Sequence, residues 1–143
     1  MKKLIAITTL LSGTFLVFAA CSRSGSSPSA VTGKTIKAAQ VGNLTATLSN
    51  SIGQLKQGDQ EVTLTFTDSS GKPVDVGAVS LNFHMPAMGS MAVMNNAVTF
   101  TTTGTPGVYA GKVNIEMAGE WQGQLAYEGP AGTGKTTFTV TAR

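Results

Sequence analysis

The chain has 143 residues, of which only 12% are charged, and its formal net charge of +3 falls to +1 once Lys2 and Lys3 are set aside. It contains no cluster of Lys or Arg that could neutralise a row of phosphates, which excludes nucleic acid as a partner. Cys21 is the single cysteine, so the fold is held together without an internal disulfide.

The first twenty residues have the pattern of a bacterial lipoprotein signal peptide. Two lysines precede a largely apolar run that ends at Ala20 and is shorter than a typical membrane-spanning helix. Small residues then lead directly into Cys21, as at a lipoprotein processing site. We therefore predict a lipidated Cys21 on the periplasmic side of the cell envelope, with plain cleavage after Ala20 or an uncleaved anchor as alternatives. Ser22 is not the aspartate that marks inner-membrane retention, which favours the outer membrane.

The segment after Cys21 is predicted to be a flexible tether. Residues 22–29 are rich in serine and glycine and offer too little apolar surface to bury. A chain of some twenty such residues has an end-to-end distance of about 25 Å. The predicted organisation is a signal peptide at 1–20, the lipidated cysteine with its tether at 21–40, and one domain at 41–143.

From residue 44 onward, apolar residues recur at every second position, which predicts strands rather than helices. Turn-forming segments at 69–73, 103–107 and 129–134 separate these runs. This spacing predicts a single antiparallel β-sandwich of immunoglobulin or cupredoxin type, and about a hundred residues are enough to bury its core. The seven predicted strands lie around residues 44–48, 62–66, 79–85, 98–100, 109–117, 121–127 and 138–140.

Residues 129–136 match the phosphate-binding pattern G-x-x-x-x-G-K-[ST]. That pattern binds phosphate when a helix follows it, because the N–H groups at the helix N-terminus hold the phosphates. Here the chain continues instead with alternating threonines and apolar residues up to Arg143. We therefore interpret the segment as a hairpin loop and predict that no nucleotide is bound.

Methionines are concentrated in one segment, together with the single histidine of the chain. Thioethers are soft ligands that suit Cu(I), and unlike a cysteine thiol they bind without losing a proton. We therefore predict a bound Cu(I) ion. Two alternatives are that the methionines fill gaps in the core, or that they form a docking surface for a partner. The candidate ligands are Met85, Met88, Met91, Met94, His84 and Met117.

The spacing of these residues limits which of them can share an ion. Methionines at every third position would scatter over both faces of a strand, whereas a polyproline-like segment would align them on one side. His84 and Met85 point to opposite faces of a regular strand, so both can bind one ion only if the strand breaks at Pro86. Met117 shares the inward parity of Ile115, and it would complete the site if its strand ended beside Met85.

Three short motifs occur in order: FHMPAMG at residues 83–89, GVY at 107–109 and MAGEW at 117–121. Their combination resembles the YtkA-like domain family, which is related to FixH, over residues 55–140. The resemblance implies an immunoglobulin-like sandwich that is exported or membrane-anchored, with links to heavy-metal efflux systems or, in the FixH branch, to copper delivery to terminal oxidases. It supports Met85 and Met88 as motif positions, whereas Met91 and Met94 rest on this sequence alone. FixH-type proteins usually retain a membrane helix where this chain has a lipoprotein signal.

The large residues of these motifs also have structural interpretations. Tyr109 and Trp121 are of a size to fill a sandwich core, and Gly119 favours a φ that other residues avoid. Trp121 could alternatively stack on a bound Cu(I), so both roles are retained.

Enzymatic activity is not predicted. The chain offers no Ser-His-Asp set and only one histidine, and its acidic residues are scattered. The sequence instead predicts a periplasmic lipoprotein that binds or hands on a soft metal ion, Cu(I), through its His/Met-rich loop. The alternative is a non-metal immunoglobulin-like module that docks on an envelope complex, such as a heavy-metal efflux system or an oxidase assembly.

Overall fold

The computed structural model describes residues 33–143, which form nine β-strands. The predicted signal peptide, the lipidation site Cys21 and most of the predicted tether lie outside the described residues. In the described part, no helix is long and apolar enough to cross a membrane. The strands are β1 (Lys34–Val41), β2 (Leu44–Asn50), β3 (Gly58–Thr67), β4 (Ala78–Met85), β5 (Met94–Ala97), β6 (Thr99–Thr102), β7 (Val108–Ile115), β8 (Gly119–Gly129) and β9 (Gly132–Ala142).

The strands form two antiparallel sheets that pack face to face around one hydrophobic core. The first sheet has the order β1-β2-β3-β7-β6, and the second has the order β5-β4-β8-β9. Along β7 and β8, buried and exposed residues alternate, as the period-two pattern of the sequence requires. The predicted single all-β sandwich is therefore confirmed.

Two features raise the number of strands above the seven predicted. Residues 94–102 form one extended stretch, but its first half pairs with β4 in the second sheet and its second half with β7 in the first. The stretch changes sheets at Val98, whose N–H donates to the carbonyl of Leu81 at 2.9 Å. The other feature is β1, which pairs with β2 along its length. Residues 34–40, whose composition suggested a tether, are thus part of the first sheet.

Aromatic side chains fill the space between the two sheets. Trp121, Phe66 and Phe83 are the largest fully buried side chains. Phe66 makes edge-to-face contacts with Tyr109 and Tyr127, with ring centroids 6.0 Å and 5.5 Å apart. The predicted core positions of Tyr109 and Trp121 are confirmed by this packing.

One end of the sandwich carries most of the candidate ligands. β4 and β7 end there, and β5 and β8 begin there. Gly58 pairs with Ile115, and Lys34 pairs with Asn50, so β3 and β1 also begin at this end. We call it the hairpin end, and its loops are residues 51–57, 86–93 and 116–118.

At the opposite end, the hydroxyl of Tyr109 fixes the loop between β3 and β4. It accepts a hydrogen bond from the N–H of Val76 at 3.3 Å, and it has the carboxylate of Asp75 and the carbonyl of Gly77 as acceptors, each at 3.1 Å. Burial raises the pKa of Tyr109 above its ordinary value, and the carboxylate of Asp75 adds to this shift. Tyr109 of the first sheet is therefore attached to the start of the second.

Replacing Tyr109 by phenylalanine should lower the free energy of unfolding by about 1–2 kcal/mol, because buried backbone groups of the loop lose their partner. Urea unfolding followed by the fluorescence of Trp121, the single tryptophan, measures this. Tyr127→Phe is a matched control, since Tyr127 is equally buried and its hydroxyl makes no hydrogen bond with residues 33–143. Equal destabilisation of the two variants would contradict the anchoring role.

Residues 129–136 contain the predicted hairpin between β8 and β9, but its loop is shorter than the predicted 129–134 because residues 132–136 belong to β9. Gly129 pairs with Gly132 across a two-residue loop of Pro130 and Ala131. Strand β9 begins directly at Gly132 and continues to Ala142. The segment resembling a phosphate-binding loop is thus followed by a strand instead of the helix that such a loop requires.

Candidate metal centre

Residues 82–97 form a β-hairpin whose two arms keep a single register. Met85 pairs with Met94 at the base of the loop, and Met88 pairs with Met91 at its tip. Two residues separate the base pair from the tip pair on each arm, so no bulge intervenes. The four methionines are therefore two cross-strand pairs, and we call residues 85–94 the methionine hairpin.

The tip pair is held by two backbone hydrogen bonds. The N–H of Met88 donates to the carbonyl of Met91 at 3.1 Å, and the N–H of Met91 donates to the carbonyl of Met88 at 2.9 Å. Gly89, with a φ of 57°, and Ser90 form the loop, in the glycine-first arrangement that type II′ turns favour. Side chains of directly opposite residues share a face, with Cβ atoms about 5 Å apart. The thioethers of Met88, which is 56% exposed, and Met91 can therefore approach a common ion.

Met85 and Met94, the pair at the base of the hairpin, face the interior of the sandwich. Met85 is 2% exposed and belongs to the core, and Met94 is partly buried and packs against it. The tip pair lies three residues further along each arm, which is about 10 Å on an extended strand. Because side chains alternate, Met88 has the parity of His84 and not that of Met85. The two pairs therefore lie too far apart, and on different faces, to share one ion.

Met117 lies in the loop that follows β7, beside the base pair. It is partly buried against the core, and its carbonyl accepts a hydrogen bond from Nε1 of Trp121 at 3.0 Å. A Cβ added to Gly119, two residues further on, would lie 3.1 Å from Cε of Met85. Strand β7 ends at Ile115, so Met117 lies in the loop and not in the strand as predicted, and it is the start of β8 at Gly119 that lies beside Met85.

His84 lies on the outer face of the second sheet, as the alternation from Met85 predicts. Its Nδ1 is 2.9 Å from Oδ1 of Asn95, which also accepts a hydrogen bond from Nδ2 of Asn82 at 3.2 Å. Because Oδ1 of Asn95 is an acceptor, Nδ1 of His84 is the donor in this hydrogen bond. The cross-strand neighbours of His84 are Asn95 and Gln122, both amides. Met88 is four residues away, about 13 Å along the strand, so His84 does not join the tip pair.

The predicted ligands thus fall into three places: the tip pair, with Met88 exposed and Met91 partly buried; the pair of Met85 and Met94 near the Met117 loop; and His84 on the outer face. The polyproline interpretation of the segment is wrong, because Gly89 and Ser90 fold it back on itself. Asn95, which orients His84, was not foreseen from the sequence. Among residues 33–143, no three His, Cys, Asp or Glu side chains are grouped so that they could hold a metal ion.

These features define the molecule as a small antiparallel β-sandwich with a methionine hairpin at one end. A family model described as YtkA-like matches residues 38–126, more than half of the chain. The chain therefore belongs to the YtkA-like family, which confirms the resemblance carried by its three motifs. The matched residues include the methionine hairpin, Tyr109 and Trp121. No curated protein and no solved structure matches the chain.

Proposed function

We propose that this protein is a periplasmic lipoprotein, anchored through Cys21, that binds Cu(I) between Met88 and Met91 and hands the ion on. The observation that carries the proposal is the pairing of these two residues across a hydrogen-bonded turn. Such a turn fixes the two backbones that carry the ligands, while Met88 is 56% exposed and Met91 is partly exposed, so that a donor or acceptor of the ion can reach them.

The chemistry of the hairpin suits a soft, monovalent cation. Thioethers are neutral and prefer Cu(I), whereas hard divalent cations take carboxylate and carbonyl oxygens. Residues 85–111 contain no charged side chain, so no carboxylate of this segment competes for the ion. Two thioethers leave coordination positions open for the ligands of another molecule, which suits transfer more than storage.

The proposal is tested by titrating the mature chain with Cu(I), without oxygen and against a competing chelator. Cys21→Ser is included in every variant, because an unmodified thiol would itself bind Cu(I). We expect Met88→Leu/Met91→Leu to weaken binding at least about 100-fold, since changes to residues that merely support ligands already cost 10- to 100-fold. Leucine keeps the apolar volume, so the fold should survive.

Met94→Leu/Met117→Leu is the matched control, with two methionines replaced at the same end of the sandwich. It should change the affinity by less than about threefold if the tip pair is the site. If Met88→Leu/Met91→Leu keeps full Cu(I) affinity and the control variant loses it, the ion is bound by the inner methionines near Trp121 instead. Full affinity in both variants would contradict binding by this hairpin.

A second candidate function is a docking module that binds no metal. It is favoured by the exposure of Met88 and Val93, which are 56% and 50% exposed on the same hairpin. Leucine at positions 88 and 91 preserves an apolar surface, so docking on an envelope protein should persist in the variant that loses Cu(I). Retained complex formation without metal affinity would separate the two functions.

A further inference from the structure

The exposed large hydrophobic side chains of residues 33–143 all lie on loops of the hairpin end. Ile52 is 44% exposed on loop 51–57, and Met88 and Val93 are 56% and 50% exposed on the methionine hairpin. Isolated exposed hydrophobics are common, but their concentration at one end of a domain marks a surface for contact.

The chain enters the sandwich at this same end. Lys34, the first residue of β1, pairs with Asn50, the last residue of β2. A Cβ added to Gly53, on loop 51–57, would lie 2.9 Å from Cβ of Lys34, so the entry point adjoins that loop. Strand β1 has 8 residues and extends about 26 Å at 3.3 Å per residue, which separates the entry point from the opposite end.

The anchor predicted at Cys21 is close to this entry point along the chain. Twelve residue steps separate Cys21 from Gly33, and the intervening sequence is rich in serine and glycine. A chain of that composition and length has an end-to-end distance of about 20 Å. This mean distance is shorter than the length of β1, so an anchor at Cys21 favours contact of the bilayer with the hairpin end over contact with the opposite end.

The charge of the hairpin end also fits a lipid surface. The methionine hairpin has no charged residue, and Lys34 and Lys56 are exposed near the loop that carries Ile52. The exposed acidic residues at this end lie on other segments, and they are Asp59, Glu116 and Glu120. Apolar side chains bordered by lysines are typical of segments that enter the headgroup region, where the lysines meet anionic lipids. An uncharged tip offers little to a protein partner that recognises charge.

From this placement we infer that the hairpin end docks on the lipid surface that carries the chain's own anchor, with Met88 and Val93 in the headgroup region. The inference rests on the lipid anchor of the proposed function and needs no bound metal. Docking would hold the Met88 and Met91 pair at the membrane surface, so the ion would be exchanged there and not in the bulk of the periplasm.

The test uses the full lipidated chain in vesicles of phosphatidylethanolamine and phosphatidylglycerol. Ser90→Cys places one thiol in the hairpin turn, and Ser69→Cys places a matched thiol in an exposed turn at the opposite end. Lipidated Cys21 has no free thiol, so each variant takes a single environment-sensitive fluorophore. Lipid-linked quenchers should quench the fluorophore several-fold more strongly at position 90 than at position 69. Adding Met88→Ser/Val93→Ser should reduce that difference several-fold, to the part that the tether alone imposes, and an unchanged difference would contradict docking through these side chains.

Equal quenching at positions 90 and 69, in a protein that still floats with the vesicles, would overturn the docking and leave the anchor intact. A chain that does not float with vesicles, and whose Cys21 reacts with thiol reagents, would overturn the anchor and this inference with it. Loss of Cu(I) affinity in Met88→Leu/Met91→Leu is a separate result, because leucine keeps an apolar tip that should still dock.

Discussion

Replacing Gly107 by alanine should lower the free energy of unfolding by about 4 kcal/mol, a large part of the roughly 5–15 kcal/mol by which a typical domain is stable. Gly107 has a φ of 79°, where a side chain costs about 1–2 kcal/mol. A Cβ there would also lie 2.6 Å from the carbonyl oxygen of Val74 and 2.7 Å from its nitrogen. Moving Val74 away would break the hydrogen bonds that Gly107 and Val74 make with the backbone of Phe66, both 2.9 Å long.

Gly71→Ala is the control for this variant. Gly71 has a φ of 82°, almost the same as Gly107, but nothing lies within 4 Å of a Cβ added there. Gly71→Ala should lower the free energy of unfolding only by the cost of a side chain at positive φ, about 1–2 kcal/mol. Urea unfolding of both variants, followed by Trp121 fluorescence, gives the difference that is due to the contact with Val74. Equal free energies of unfolding for the two variants would show that the loop around Val74 adjusts to the added methyl group without loss of stability.

The parts of the fold that follow from side-chain alternation were predictable from the sequence. Val62, Leu64 and Phe66 alternate with threonines and form the buried face of β3, as the period of two requires. The same rule placed His84 and Met85 on opposite faces of β4. Alternation works here because each strand has one face toward a single core.

The parts that the sequence did not reveal are those in which alternation is weak or the strand changes partner. Strand β1 reads KTIKAAQV, and only Val41 in it is fully buried, because it is an edge strand with little apolar pattern. The change of sheet at Val98 leaves the local backbone extended on both sides. A pattern of apolar residues therefore cannot distinguish it from one continuous strand.

The candidate site was predictable in composition but not in geometry. Spacing by three suggested one line of ligands, whereas the hairpin makes pairs of Met85 with Met94 and of Met88 with Met91. A signal for this was present, because the four methionines are placed symmetrically about Gly89-Ser90, and a Gly-Ser pair between two extended runs is typical of a two-residue hairpin loop. Only the register could show which methionines lie opposite each other across the hairpin.

Replacing Trp121 by alanine should lower the free energy of unfolding by about 3–5 kcal/mol, because it removes the largest fully buried side chain of the domain. The variant lacks the single tryptophan, so its unfolding is followed by circular dichroism. A loss of less than about 1 kcal/mol would contradict the core role of Trp121.

Trp121→Phe divides this effect into packing and hydrogen bonding. Phenylalanine retains most of the apolar contact but cannot donate to the carbonyl of Met117, which Nε1 of Trp121 reaches at 3.0 Å. We expect a cost of about 1–3 kcal/mol from the smaller ring and the unpaired carbonyl. Cu(I) affinity should not change, because the tip pair is about 10 Å along the hairpin from the base pair that adjoins the Met117 loop. A large fall in affinity in this stable variant would instead assign the ion to the inner methionines, with the Met117 loop as part of the site.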